Sequence, residues 1–131
     1  MKYMMMEVYE ALKNDITIAS LVDSDRIKFF EAPETLDTSK AFIIIDSALG
    51  PSTSAYFAAN KEMSKQFSYQ INVESTNYLT TKKIAKAVQD VMRKMEFGQL
   101  AGGLDTYFAE TKRYVDARRY RKNTKIYDTD Y

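Results

Sequence analysis

The chain has no cysteine and no histidine, and only four glycines and two prolines among 131 residues. Without cysteine, neither a disulfide framework nor a thiolate metal site can form. Without histidine, the commonest neutral-pH general base and metal ligand is missing. Ser–His and Cys–His nucleophile chemistry is therefore excluded. A carboxylate-only metal site or a carboxylate acid/base pair stays open. Gly98, Gly102 and Gly103 do not form GxGxxG or GxxxxGK[ST], so no glycine-rich phosphate loop is expected. No apolar run approaches the roughly 18 residues of a membrane-spanning helix. The start, MKYMMMEVYEALKND, carries one lysine before Glu7 and Glu10 interrupt the apolar residues, unlike a secretory signal. The expected location is a reducing cytoplasm, or a particle assembled there.

What is present describes a globular chain. Hydrophobic residues make up 45% and charged residues 28%, enough for one core without staples, and residues 1–131 are expected to form one domain. The net charge of +1 is unevenly spread. Residues 1–39 carry eight acids against four bases, and residues 112–131 carry seven bases against three acids. Such a split marks either a nucleic-acid tail or a chain that meets copies of itself, acidic patch to basic patch.

Periodicity gives the elements. Met5, Val8, Tyr9 and Leu12 fall on one helical face, and Asp15 is placed to cap a second short helix through about Leu21. RIKFF (26–30) alternates as a short strand. AFIIID (41–46) is a continuous β-branched run that suits a strand buried on both faces. Residues 49–64 form a long loop or a two-stranded hairpin, and Tyr56 and Phe57 within it are either interface candidates or residues folded back onto the core. FSYQINVE (67–74) alternates strictly: Phe67, Tyr69, Ile71 and Val73 against Ser68, Gln70, Asn72 and Glu74. Ile84, Val88, Val91, Met92 and Met95 predict a helix over about 80–97, with Thr80 or Thr81 as its cap and Gly98 in its terminal turn. Its charged residues, Lys82 included, fall off that stripe and read as a solvated face. Gly102-Gly103 marks a turn, followed by strands at 104–111 and 118–127. Strands surround one long helix, which favours an α+β fold: one mixed or antiparallel sheet packed by the N-terminal helix and the long helix.

Few stretches suggest chemistry. Asp23-Ser24-Asp25 opens like a calcium loop but lacks the glycine and distal glutamate that complete one. Glu7/Glu10 and Asp128/Asp130 are carboxylate pairs of a kind common on surfaces. With no activated-nucleophile signature, no enzyme activity and no cofactor are expected. The densest stretch is YVDARRYRKNTKIY (114–127), with Arg118, Arg119, Arg121 and Lys122 close together. Strand parity puts Arg118, Tyr120, Lys122, Thr124 and Ile126 on one face. Arg119, Arg121, Asn123, Lys125 and Tyr127 fall on the other. A nucleic-acid platform wants its cations and aromatics on one surface. The preferred reading is a charged edge strand at a protein interface; a solvated edge and a nucleic-acid module stay open.

The order of these stretches resembles the tail terminator family, also called tail completion or minor tail proteins, of long-tailed phages and prophages of Gram-positive bacteria. The resemblance lies in LVDSDRIKFFEAPE leading into AFIIID, in FSYQINVEST followed by TTKKIAKAVQDVM, in DTYFAET, and in RYVDARRYR, which looks like the family's acidic turn before a final strand. It covers most of the chain, as a match of pattern and order without a catalytic signature. It implies an α+β subunit of a virion, assembled in the host cytoplasm and placed at the head–tail junction. Copies would form a ring, typically a hexamer, that caps the head-proximal end of the tail tube, ends tube polymerisation and offers a docking surface to the head connector. The implied partners are further copies, the major tail-tube protein and the connector (stopper) protein, with DNA met only in passage through the lumen. A neighbouring neck protein of the same virion is the alternative. The family supplies no individual functional residues. Tyr56, Phe57, Arg118, Arg119, Arg121 and Lys122 are therefore interface candidates from their own chemistry.

Overall fold

The computed structural model describes residues 2–47, 52–58 and 61–125, with side chains except at 53–58 and 61–63. Helices α1 (Met4–Lys13) and α2 (Ile16–Leu21) lead through a 3-10 turn at Ser24–Arg26 into β1 (Ile27–Phe29). Strands β2 (Phe42–Asp46), β3 (Thr53–Ala58) and β4 (Lys61–Ser75) follow, then α3 (Tyr78–Lys94), β5 (Gly98–Gln99), β6 (Leu104–Phe108) and β7 (Arg113–Asn123). This is the expected α+β fold, built on one mixed seven-stranded sheet.

The long antiparallel pairing of β4 with β7 organises the sheet, in register from Gln66 opposite Asn123 to Ser75 opposite Tyr114. On the far side of β4, β2 and β3 lie in line. β2 pairs with Gln70–Glu74, and β3 pairs with Lys61–Gln66 beyond it. β1 adds to β2 in parallel. On the far side of β7, β6 pairs with Arg113–Ala117 and β5 with Tyr120–Arg121. The 49–64 stretch thus includes a two-stranded ribbon, with register shifts between Ser54 and Phe57.

Because strand side chains alternate, one face receives Ile43, Ile45, Phe67, Tyr69, Ile71, Val73 and Tyr120. The helices cover this face with Met4, Val8, Leu12, Ile18, Ile84, Val88, Val91 and Met92. Each large aliphatic removed from water here contributes about 1.5–3 kcal/mol. β2 is buried on both faces, as its unbroken apolar run implies: Phe42 and Ile44 point away from the helices and are nevertheless buried. The Arg113 guanidinium lies 5.6 Å from the Phe42 ring centroid. The connection from β1 to β2 is held by Arg26, which is buried and donates from Nε to the Ala41 carbonyl at 2.9 Å and from Nη2 to the Lys40 and Asp37 carbonyls.

Several local expectations are corrected. Asp15 caps α2 as expected, accepting from Ile18 N at 3.0 Å. The long helix begins earlier than 80, because Asn77 caps it, accepting from Thr80 N at 3.0 Å. Thr81 instead faces inward, its hydroxyl 2.6 Å from that of Ser75. The helix ends at Lys94, and Glu96 (φ 69°) takes the left-handed position expected of Gly98, which lies in β5. The last strand starts at Arg113, five positions before 118. Asp116 therefore sits inside that strand and is buried, where the family pattern implied an acidic turn. Ile126, Tyr127 and the Asp128/Asp130 pair lie outside the described residues.

The Gly102-Gly103 turn is required by space as well as by conformation. Gly103 has φ +101°, and a Cβ there would lie 2.2 Å from the Ala117 carbonyl oxygen. Gly103→Ala is expected to cost at least about 1–3 kcal/mol through the strained backbone alone and to detach β6. Hydrogen exchange should show faster exchange of the 104–108 amides with β4 unchanged; unaltered protection of β6 would contradict this.

Candidate functional site

The six interface candidates do not form one cluster. Arg118 and Lys122 point to the helical side of β7, where local partners absorb them. Arg118 donates from Nε to Asp116 Oδ1 at 2.8 Å and from Nη2 to Asp116 Oδ2 at 3.0 Å. Lys122 Nζ lies 5.7 Å from the Phe97 ring centroid. Arg119 and Arg121 point to the opposite face, which no helix covers. There Arg119 Nε donates to Gln70 Oε1 at 3.1 Å, and Arg121 Nε lies 3.4 Å from Ser68 Oγ. Tyr56 and Phe57 are in β3, opposite Ser64 and Glu62; their side chains lie outside the described set.

The helix-free face is a polar ladder along β4 and β7. Gln66 Nε2 donates to Asn123 Oδ1 at 3.1 Å, and Gln70 Nε2 donates to Asn72 Oδ1 at 3.0 Å. Amide and hydroxyl groups orient the two arginines without neutralising them. Among the described residues neither has a carboxylate partner, so their charge is available to another molecule.

On the helical side, Asp116 is the hub of an ionic cluster. It is 2% exposed, and besides both Arg118 contacts its Oδ2 accepts from Lys82 Nζ at 3.0 Å. Lys82 also pairs with Asp105. Lys82 is thus not the freely solvated residue expected from its place off the apolar stripe. Only the register of β7 against α3, across 34 positions of sequence, brings the pair together. Burial lowers the Lys82 pKa, and the hydrogen bonds to Asp105 and Asp116 outweigh it, leaving the group above its usual value. Beside this cluster is an open cleft of about 440 Å³, lined by Gln89, Gln99, Gly102, Gly103, Asp105 and Asp116 among others. Both Asp116 oxygens are occupied by cations, which makes it the structural counter-ion of Lys82 and Arg118. Burial also raises the phenols of Tyr69 and Tyr120 to about 12, with the Glu7 charge adding to the effect at Tyr69. Among the described residues no group of three or more acids could hold a metal ion. No described helix is long and apolar enough to cross a membrane.

The composition did not reveal the apolar edge. Every residue of β6 is exposed, including Leu104, Tyr107 and Phe108. The Tyr107 and Tyr114 rings are 4.7 Å apart, and Tyr78 meets Tyr114 edge-on at 5.4 Å. Leu79, beside them at the start of α3, is 75% exposed. The missed signal was the spacing of tyrosines 78, 107 and 114, which only the topology gathers.

The chain is therefore an α+β protein whose surface carries a polar arginine ladder, an apolar strand edge and a projecting ribbon. The same fold occurs in a chain from the virion of a native gene transfer agent particle, with a TM-score of 0.62 and 19% identity. The match covers 88% of this chain and 90% of that one. No family model and no curated protein sequence matches.

Asp116→Asn would leave Lys82 and Arg118 short of their shared counter-charge. The expected loss is about 3 kcal/mol, the lower end for breaking a buried pair, since both cations are partly solvated. The raised Lys82 pKa contributes stability that is complete below its ordinary 10.5 and is lost as pH rises through the folded-state value. In thermal melts, the gap between wild type and Asp116→Asn should narrow above that pH. A gap that widens there would contradict the assignment.

Proposed function

We propose that the chain is a structural protein of a phage-like virion and acts as a tail terminator. Copies form a ring, six in number by the family pattern, at the head-proximal end of the tail tube. The ring ends tube polymerisation and presents a surface to the head connector. The observation that carries this reading is the fold shared along nearly the whole chain with a component of a gene transfer agent virion. The order of sequence stretches narrows it from virion protein to terminator, with another neck protein of the same junction as the alternative. The surfaces suit such a role. A ring subunit needs side contacts to its neighbours and two further faces for different partners, and it needs no nucleophile. In this reading residues 1–131 act as one tail-terminator-like domain located in the virion, after assembly in the host cytoplasm.

A second reading is favoured by one observation: Arg119 and Arg121 share the helix-free face without acid partners among the described residues. If that face lines a lumen, passing DNA meets two guanidinium groups per copy. Stable nucleic-acid binding by the free chain is the weaker reading, because Arg118 and Lys122 are turned to the helical side.

Purified chain added to polymerising tail-tube protein should halt growth and leave ring-shaped density at one tube end in negative-stain images. Unchanged tube lengths with bare ends would overturn the terminator role. For the second reading, Arg119→Gln with Arg121→Gln should weaken duplex DNA retention at low salt and reduce its salt slope by about 2. Equal retention by the double variant would remove those residues from any DNA contact.

A further inference from the structure

The two long sides of the sheet are unfinished in complementary ways. On one side, β1 covers only Ile43–Ile45 of β2. β3 continues in line with β2, and its outer side has no partner strand among the described residues. A strand-sized vacancy is left beside Thr53–Ala58, in line with β1. On the other side, β6 covers β7 and turns its own outer row of backbone N–H and C=O groups to solvent. The two segments match in length, six residues in β3 and five in β6.

Exposed strand edges are ordinarily blunted by lysine, proline, a bulge or a covering segment. β6 reads LDTYF and has no lysine or proline. Its one charge, Asp105, is tied to Lys82. Its apolar side chains stand out on both faces, with Leu104 47%, Tyr107 46% and Phe108 43% exposed. β3 reads TSAYFA, also without charge or proline, and its one protective feature is the irregular register between Ser54 and Phe57. The ribbon of β3 with the start of β4 extends past the end of β7, and a two-stranded hairpin is marginal alone.

We propose that β6 of one copy pairs with the vacant edge of β3 in a second copy, so that copies join head to tail through a continuous sheet. Charge supports a second copy as the occupant. β6 runs into exposed Lys112, at the head of the basic segment 112–131. The vacancy lies beyond the Phe29 end of β1, which is followed at once by exposed Glu31 of the acidic N-terminal third. In an antiparallel β6–β3 contact the Lys112 end of β6 is turned to the Glu31 side of the vacancy, which favours that alignment. A symmetric β6–β6 pair would leave both β3 edges vacant. Because the joined edges lie on opposite sides of the sheet, the contact is heterologous and propagates to a closed ring or an open fibre. The proposal deepens the terminator reading by naming the contact between copies, and it rests on that reading only for closure into a ring.

Because the chain has no cysteine, single cysteines can map the contact. Ser54→Cys and Thr106→Cys proteins, mixed at high concentration under mild oxidation, should give several-fold more disulfide heterodimer than Lys94→Cys mixed with Thr106→Cys. Thr106→Cys alone should stay at the control level. No excess of the Ser54–Thr106 product, or an equal yield of the Thr106 homodimer, would overturn the proposal. Adding Leu104→Lys and Phe108→Lys to the Thr106→Cys chain should abolish the cross-link with the melting temperature unchanged; an undiminished cross-link would also overturn it. Should that variant melt early, the single-cysteine pairs decide. No tube protein is present, so failure here leaves tube capping to be judged separately.

Discussion

The pairing of β4 with β7 is the constraint on which the rest depends. Ten residue pairs hold two segments far apart in sequence in one antiparallel register. A shift of one residue would turn every side chain to the other face. The register is fixed because one face must bury Phe67, Tyr69, Ile71, Val73 and Tyr120 under the helices. The same choice leaves Ser68, Gln70, Asn72, Arg119 and Arg121 on the side without helices. It also brings Asp116 beneath Lys82 and gives Arg118 a buried counter-ion. Core, ionic cluster and polar ladder are thus three consequences of one pairing.

Much of this was legible in the sequence because the strands obey period two and the long helix obeys period 3.6. FSYQINVE announced both faces of β4, and AFIIID announced a strand covered on both sides. The division of Arg118 and Lys122 from Arg119 and Arg121 followed from parity alone. What could not be read depends on partners distant in the chain. Lys82 looked solvated because its acids arrive from β6 and β7. Asp116 was placed in an acidic turn by the family resemblance alone, and its pairing with Lys82 is tertiary. Thr80 and Thr81 were plausible caps, but Asn77 holds the position, and Thr81 is used by Ser75 below the helix start. The exposed edge of β6 was illegible for the same reason: LDTYF gives no sign of whether a neighbour lies on one side or both.

The functional reading joins two kinds of support that do not overlap. Fold likeness to a gene transfer agent virion component speaks to the architecture of the whole chain. The surface speaks to what the chain does with that architecture. The helices and one sheet face close the core, while Met6, Ile16, Tyr78 and Leu79 stay exposed on the helical layer. Among the described residues, the sheet edges and the helix-free face keep unsatisfied backbone, exposed aromatics and two arginines, Arg119 and Arg121, without acid partners. In the proposed role such a protein meets others through its sheet, while its paired carboxylates Asp105 and Asp116 hold Lys82 and Arg118.

The central claim is therefore that assembly uses the sheet and spares the helical layer. Hydrogen exchange, comparing the free chain with the chain bound at the end of tail tubes, tests this most directly. The account predicts new protection in the backbone amides of β3 and β6, with the β4–β7 centre already slow in the free chain and the exposed sides of α1 and α3 unchanged. Protection gained on the helices, with β3 and β6 exchanging as before, would contradict it.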